Sequence, residues 1–361
     1  MSLKERKLRL LVQRYVTDAL TGELVLSNRA DDIIRHIATD AKIGNLTTPQ
    51  IDMTQIKAEV DKIIAYFGTP LCAEFCHTFD DDNLSAEETL QIVAKAVFSQ
   101  LKRQGNKLLL DFERIVPASV AIFNSHNILP GTFKSSQSFG VVNNYDGSKV
   151  EYVDPVDDAV VTLSYPYDGL ANPHEDKLVG VRNKIQAHMH MMRTYYRDRY
   201  TFKSCEFTAG DESNIVVRTN RVTVANQRRA DITQGSVDSI EVVGTDIVMH
   251  TTDPVELGAG THTLFIQTIN NGVESITVTA RDDYSVTLSR LPSGEISPTS
   301  DRNSVQAVYQ IVKNEDSIRD AYLVTKKSPA EGMSNSLTCT NYDDRFYSSD
   351  KDYINGLIAL N

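Results

Sequence analysis

Cys72-x-x-x-Cys76-His77 places two thiols and an imidazole close together, the beginning of a metal site. Zinc takes four ligands in a closed structural site. The other two cysteines, Cys205 and Cys339, stand far along the chain, and the short-spaced cysteine pairs usual for zinc or iron–sulfur ligation are missing. Buried free thiols are therefore the expected state. His188-x-His190 falls inside a predicted helix, where a spacing of two turns the rings about 200° apart. One imidazole on the core side and one exposed is the expectation, with no shared metal. Asp80-Asp81-Asp82-Asn83 lacks the alternating ligands, the sixth-position Gly and the twelfth-position Glu of a calcium loop. Its charge suits the positive end of the helix that follows. Arg193, Arg197 and Arg199 cluster where the middle helix ends, placed either to complement its dipole or to make salt bridges across a subunit interface. Arg228-Arg229 and the basic amino terminus admit the same two readings. No aromatic platform accompanies them for stacking nucleic-acid bases.

No Gly-rich phosphate loop, nucleophile elbow or His-Glu-x-x-His occurs. The sequence assigns no catalytic, cofactor-binding or metal-ligating residue, and implies no cofactor.

The chain of 361 residues is long enough for two or three domains and a substantial core. Its net charge of -11 argues against general binding of nucleic acid, which needs basic surface to replace phosphate counterions. An acidic surface fits a wall that DNA slides past, and equally fits simple solubility. No stretch approaches the roughly 20 apolar residues of a membrane span, so no stable membrane insertion is expected. The amino terminus does not read as a secretory signal. Four cysteines in a chain of this size do not make a disulfide framework, consistent with synthesis in a reducing cytoplasm.

Three zones differ in pattern. Residues 1–115 read as mainly helical. Leu8, Leu10 and Val12 alternate with charged residues, and Thr21-Gly22 turns the chain toward Glu23–Leu26, so the opening is expected to be a hairpin. Ile33, Ile34 and Ile37 share a helical face, and Ile56, Val60, Ile63, Ile64 and Phe67 form a second stripe. Ser85-Ala-Glu-Glu is a capping box. The stripe behind it, Leu90, Val93, Ala94, Val97, Phe98 and Leu101, predicts a helix that Gly105 ends. Residues 116–204 mix extended segments with one helix from about Val181 to Arg197, burying Val181, Ile185, Met189 and Met192. Pro130-Gly131 and Asp146-Gly147 mark turns there. Residues 205–361 read as successive strands. Thr261–Thr268 and Val273–Thr279 flank the hairpin signal Asn270-Asn271-Gly272. Further strands are expected at Tyr284–Ser289, Val305–Lys313, Ala321–Lys326 and Ser336–Tyr342, suggesting a small barrel or sandwich.

Several segments occur in a telling order: Ala30-Asp-Asp-Ile-Ile34, Ala73-Glu-Phe-Cys-His-Thr-Phe-Asp80, Ser85–Thr89 and Arg103-Gln-Gly-Asn106. Ile122-Phe-Asn-Ser-His-Asn-Ile-Leu-Pro-Gly-Thr-Phe133, Tyr145-Asp-Gly147, Val150–Pro155 and Gly180–Lys184 follow. Tyr196–Phe202, Gly258–Leu264, Asn271–Ser275 and Asn341-Tyr-Asp-Asp-Arg-Phe-Tyr347 complete the series. In this order they resemble the tail-tip hub proteins of bacteriophages, a family related to the host-specificity (tail-tip attachment) protein J of lambda-like phages. Each segment alone is weakly specific; the shared order carries the resemblance, over nearly the whole chain.

The resemblance implies an α+β fold. Residues 1–115 would be a mainly helical hub domain, 116–204 a mixed α/β hub segment and 205–361 an antiparallel β-barrel or sandwich closing near Asn341–Tyr347. It also implies a non-enzymatic virion protein, made in the host bacterial cytoplasm. Three copies would form a ring at the distal tail, closing the tube, anchoring fibres and opening for DNA exit without binding the DNA specifically. Partners would be other copies of the chain, tail-tube or distal tail proteins, and fibre or receptor-binding proteins. Lambda-like versions are far longer, so a second hub protein supplying further domains is expected. A receptor-binding tail module is the alternative, and a cell-wall-degrading tail enzyme a more distant one.

Overall fold

A computed structural model describes residues 14–79, 84–225, 232–258, 260–269, 272–297, 306–313 and 320–358. Along the chain run β1 (Tyr15–Thr17), β2 (Leu24–Leu26), α1 (Ala30–Thr39), α2 (Met53–Phe67), α3 (Ala86–Ala96), β3 (Ser99–Gln104) and β4 (Lys107–Phe112). Then come β5 (Ala121–Phe123), β6 (Lys134–Gln137), β7 (Gly147–Val153), β8 (Val160–Tyr165), β9 (Pro173–Lys177) and α4 (Lys184–Tyr200). Strands dominate the rest: β10 (Lys203–Ala209), β11 (Arg221–Val224), β12 (Thr233–Val243), β13 (Asp246–Thr251), β14 (His262–Thr268), β15 (Gly272–Asp282) and β16 (Ser285–Leu288). The series ends with β17 (Val308–Lys313), β18 (Ala321–Pro329) and β19 (Asn335–Asn341). The fold is mixed α+β and mostly β.

These elements form two compact units, each assembled from separated stretches of chain. The first holds Met1–Arg114, Tyr145–Tyr196 and Phe346–Asn361; the second holds Ile115–Asn144 and Arg197–Arg345.

In the first unit, α2 follows its sequence pattern. Asp52 caps it by accepting from the Gln55 N–H, and Gly68 takes the left-handed turn that ends it. Ile56, Val60, Ile63 and Phe67 are fully buried, each contributing roughly 1.5–3 kcal/mol; Ile64 is half-buried. On α1, Ile34 and Ile37 are buried and Ile33 packs at their edge. The Ser85 capping box is present, with Glu88 N–H donating to Ser85 Oγ at 3.3 Å and Ser85 N–H donating to the Glu88 carboxylate at 2.8 Å.

The helix behind that box does not reach Gly105. It stops at Ala96, and β3 and β4 follow as a hairpin with Gly105 at positive φ in the turn between Gln104 and Lys107. Tertiary packing decides this. Phe98 adopts φ +56, a left-handed conformation costing of order 1–3 kcal/mol. Its ring is thereby placed between Phe67, 4.6 Å away, and His190, 4.1 Å away. The mainly helical character expected of residues 1–115 is corrected accordingly: α1–α3 share the stretch with the β1–β2 and β3–β4 hairpins. Tyr15–Thr17 pairs with Leu24–Leu26 across a turn with Gly22 at positive φ; Leu8, Leu10 and Val12 lie outside the described residues. A small sheet ordered β8-β7-β9 completes the unit's strands. Asp146-Gly147 is not a turn. Gly147 opens β7, and the Asp146 carboxylate accepts from the N–H groups of Ala171 and Asn172.

The second unit contains a closed barrel, ordered β12-β13-β16-β15-β14-β17, with every pairing antiparallel. Val237, Met249, Leu264, Ile266, Ile276, Val286, Tyr309 and Ile311 fill it, following the inward-outward alternation of strands. The hairpin of β14 and β15 pairs Thr268 with Gly272; Asn270 and Asn271 lie outside the described residues. The same unit holds a six-stranded sheet, ordered β5-β11-β18-β19-β10-β6. The barrel is inserted between β11 and β18, which are sheet neighbours. The final strand ends at Asn341, and Asp344–Tyr347 is a 3-10 turn rather than part of a closing strand.

Candidate functional site

In the first unit, Cys72 is fully buried and Cys76 is exposed. Burial pushes the Cys72 thiol up to about 12, the opposite of what a nucleophile or thiolate ligand requires. His77 packs edge-on against Phe79 at 4.9 Å, and the Cys76 N–H donates to the Gly180 carbonyl at 2.9 Å. Among the described residues, no three His, Cys, Asp or Glu side chains come together as a metal site. Asp80–Asn83 and Arg228-Arg229 lie outside the described residues.

Helix α4 carries the other candidates. It is capped by Asn183, which accepts from the Gln186 N–H at 2.8 Å. His190 stacks on Phe98 and donates to the Ala96 carbonyl at 2.8 Å; burial brings its pKa down to about 4, so it is neutral near pH 7. His188 is not the exposed imidazole expected. It is half-buried, with Nε2 3.1 Å from an Asp352 oxygen.

Arg193 fits neither reading offered for it. It lies inside the first unit's core, 3% exposed, and grips the fully buried Asp350 in a two-pronged pair, donating from Nε at 2.8 Å and from Nη2 at 2.7 Å. A third bond runs to the Glu113 carbonyl at 3.0 Å. The rings of Phe67, Phe98 and Tyr347 surround the guanidinium at 5.2, 4.9 and 5.0 Å. Burial opposes its charge, but the Asp350 carboxylate outweighs that and holds its pKa above the usual value. Asp350 was not legible as a partner because 157 positions separate the two.

In the second unit, the Asn124-Ser-His-Asn127 segment is a clamp. The buried Asn124 amide donates to the carbonyls of Gly235 and Tyr309, on adjacent barrel strands, at 3.1 and 3.2 Å. Asn127 holds the clamp in shape, accepting from the Asn124 N–H at 2.8 Å and donating to the Ile122 carbonyl at 2.8 Å. His126 Nε2 lies 2.8 Å from Asp253. Asn341 has a comparable task. It accepts from the Phe202 and Lys203 N–H groups and donates to the Tyr200 carbonyl. Tyr342 accepts from the Val116 N–H at 2.9 Å, and Arg345 lies over the Tyr200 ring at 3.8 Å. Cys205 and Cys339 are brought together, as direct partners on β10 and β19.

The arrangement is one of stitches. The side chains singled out by type and spacing hold loops to strands or charges to charges. A cleft of about 340 Å³ lies at the start of α2 beside Arg35, Asp52 and Lys107, where Asp52 already caps the helix. No helix among the described residues is long and apolar enough to cross a membrane.

No family model matches the chain, and no curated protein matches it. Solved structures similar to it in part are a tail protein from Neisseria meningitidis, a virion of a native gene transfer agent particle and a 43 kDa prophage tail protein from Shewanella oneidensis. Their identities are 10%, 12% and 10%, and their TM-scores 0.31, 0.39 and 0.25. The matches cover 64%, 77% and 58% of this chain and 65%, 51% and 54% of those proteins' own lengths.

Proposed function

We propose that this chain is a structural component of a phage tail tip, three copies of which build a ring around the distal end of the tail tube. The reading rests on the ordered segments that resemble hub landmarks. The observation that carries it is how those segments are used: Asn124, Asn127 and Asn341 tie loops to a closed barrel and its sheet instead of converging on a reactive centre. A closed barrel leaves no open strand edge of its own to polymerise indiscriminately, which suits a part that must meet its neighbours at defined faces. A threefold ring brings two different faces of each copy together. In this role the ring closes the tube, anchors fibres and lets DNA pass along an acidic wall without holding it.

The test is mass spectrometry and cryo-electron microscopy of purified particles from the virus that encodes the chain. The expected result is three copies at the tail terminus. Absence from finished particles, or another rotational order, overturns the proposal.

A further inference from the structure

Cys205 and Cys339 stand directly opposite each other on two inner strands of the six-stranded sheet. Both are buried, in an apolar cluster that includes Phe123, Phe207 and Leu337. Backbone polarity identifies the kind of pair. Leu129 donates to the Thr208 carbonyl, and Ser138 to that of Phe202, so even-numbered residues along β10 face the β6 side. Tyr342 donates to the Ala321 carbonyl, so even-numbered residues along β19 face β18. The odd-numbered Cys205 and Cys339 therefore point their own N–H and C=O groups at each other. That is the hydrogen-bonded type of antiparallel pair, with Cα atoms about 5.5 Å apart. Disulfides span Cα separations of about 4.4–6.8 Å, which this pair meets. Disulfide Cβ atoms lie about 3.5–4.5 Å apart, against about 4.5–5.5 Å for directly opposed strand residues, so closing the bond draws β10 and β19 slightly together. The thiols are already neighbours: contact with the Cys205 sulfur, reinforced by burial, holds the Cys339 thiol well above the usual range.

We infer that Cys205 and Cys339 are an oxidative modification site, a buried dithiol that closes to a cross-strand disulfide on meeting a low-molecular-weight disulfide. Once local opening admits water and lets it ionise, one protein sulfur attacks the small disulfide as the thiolate, breaking its S–S bond and releasing one small thiol. The second protein sulfur then attacks the first, forming the Cys205–Cys339 bond and releasing the other small thiol. The protein loses two electrons and two protons; the small disulfide gains both. Access comes by opening of β6, an edge strand of four exposed residues beside β10. The closed bond would bracket the whole inserted barrel, which lies between the two cysteines in sequence.

The reduced, full-length chain, incubated with excess oxidised glutathione, acid-quenched and alkylated in denaturant, tests this by peptide mapping. Two of the four thiols should become protected, in a peptide joining residues 205 and 339 that dithiothreitol separates. Cys76→Ser should leave that peptide intact; Cys205→Ala and Cys339→Ala should each abolish it. The map of the unmodified sequence decides the matter even if the core variants fold poorly. Alkylation of both Cys205 and Cys339, or capture of either by Cys72, Cys76 or glutathione alone, overturns the inference.

Discussion

Replacing Asp350 by Asn should expose how much the first unit depends on one buried charge pair. The substitution keeps the shape but leaves the Arg193 guanidinium, 3% exposed, without its counter-charge. Removing one partner of a buried pair typically costs about 3–5 kcal/mol. The bond to the Glu113 carbonyl and the three surrounding rings remain, and cation–π contacts retain about 0.5–2 kcal/mol. The expected loss is therefore near the lower end, about 3 kcal/mol. With a urea slope of about 2 kcal/mol per molar, the midpoint should fall by about 1.5 M. The chain has no Trp, so far-UV circular dichroism of the helices is the suitable readout. The double variant Arg193→Met with Asp350→Leu removes both charges and should recover most of the loss. A midpoint shift in Asp350→Asn below about 0.3 M, or a double variant worse than the two single ones combined, would refute the reasoning.

Three further outcomes are expected. Ser85→Ala removes the cap of α3 and should cost about 1 kcal/mol in urea unfolding. Asn124→Ala removes two buried hydrogen bonds to barrel carbonyls, at Gly235 and Tyr309, and should cost about 1–3 kcal/mol in total, with faster amide exchange along β12 and β17. His190 has a folded-state pKa of about 4, below the ordinary 6.5, so the unfolded chain takes up the proton first. Its contribution is complete above about pH 6.5 and is lost as pH falls toward 4. His36 is shifted in the same direction, chiefly by burial. Differencing urea midpoints of the unmodified chain and His190→Gln across that window should isolate the His190 part; identical pH profiles would disprove it.

The sequence was most informative where short-range chemistry decides structure. The apolar stripe of α2 from Ile56 to Phe67, the Ser85 cap and the strands around Gly272 follow from local pattern. The reading failed where distant contacts override that pattern. Val97 and Leu101 match a helical stripe, yet the packing of Phe98 against Phe67 and His190 ends the helix, and Gly105 serves a hairpin. A Gly-Asn pair between alternating residues was the available signal for that hairpin. Strands β10 to β13 went undelineated because no turn signal as strong as Asn-Asn-Gly separates them. The site residues suffered most. Arg193 needs Asp350, and Cys205 needs Cys339, at separations no local window spans.

The barrel leaves the sheet from β11 and rejoins it at β18, with Val222 facing Tyr322 across the ladder. Its two attachment points are thus about 4.8 Å apart. A segment tethered at adjacent points can be cut out and the gap bridged by a tight loop, or another small domain transplanted in its place, while the sheet keeps its register. Variation among relatives, whether by exchange, enlargement or loss, has in this junction a place to act, provided that the Asn124 clamp beside β5 finds new partners.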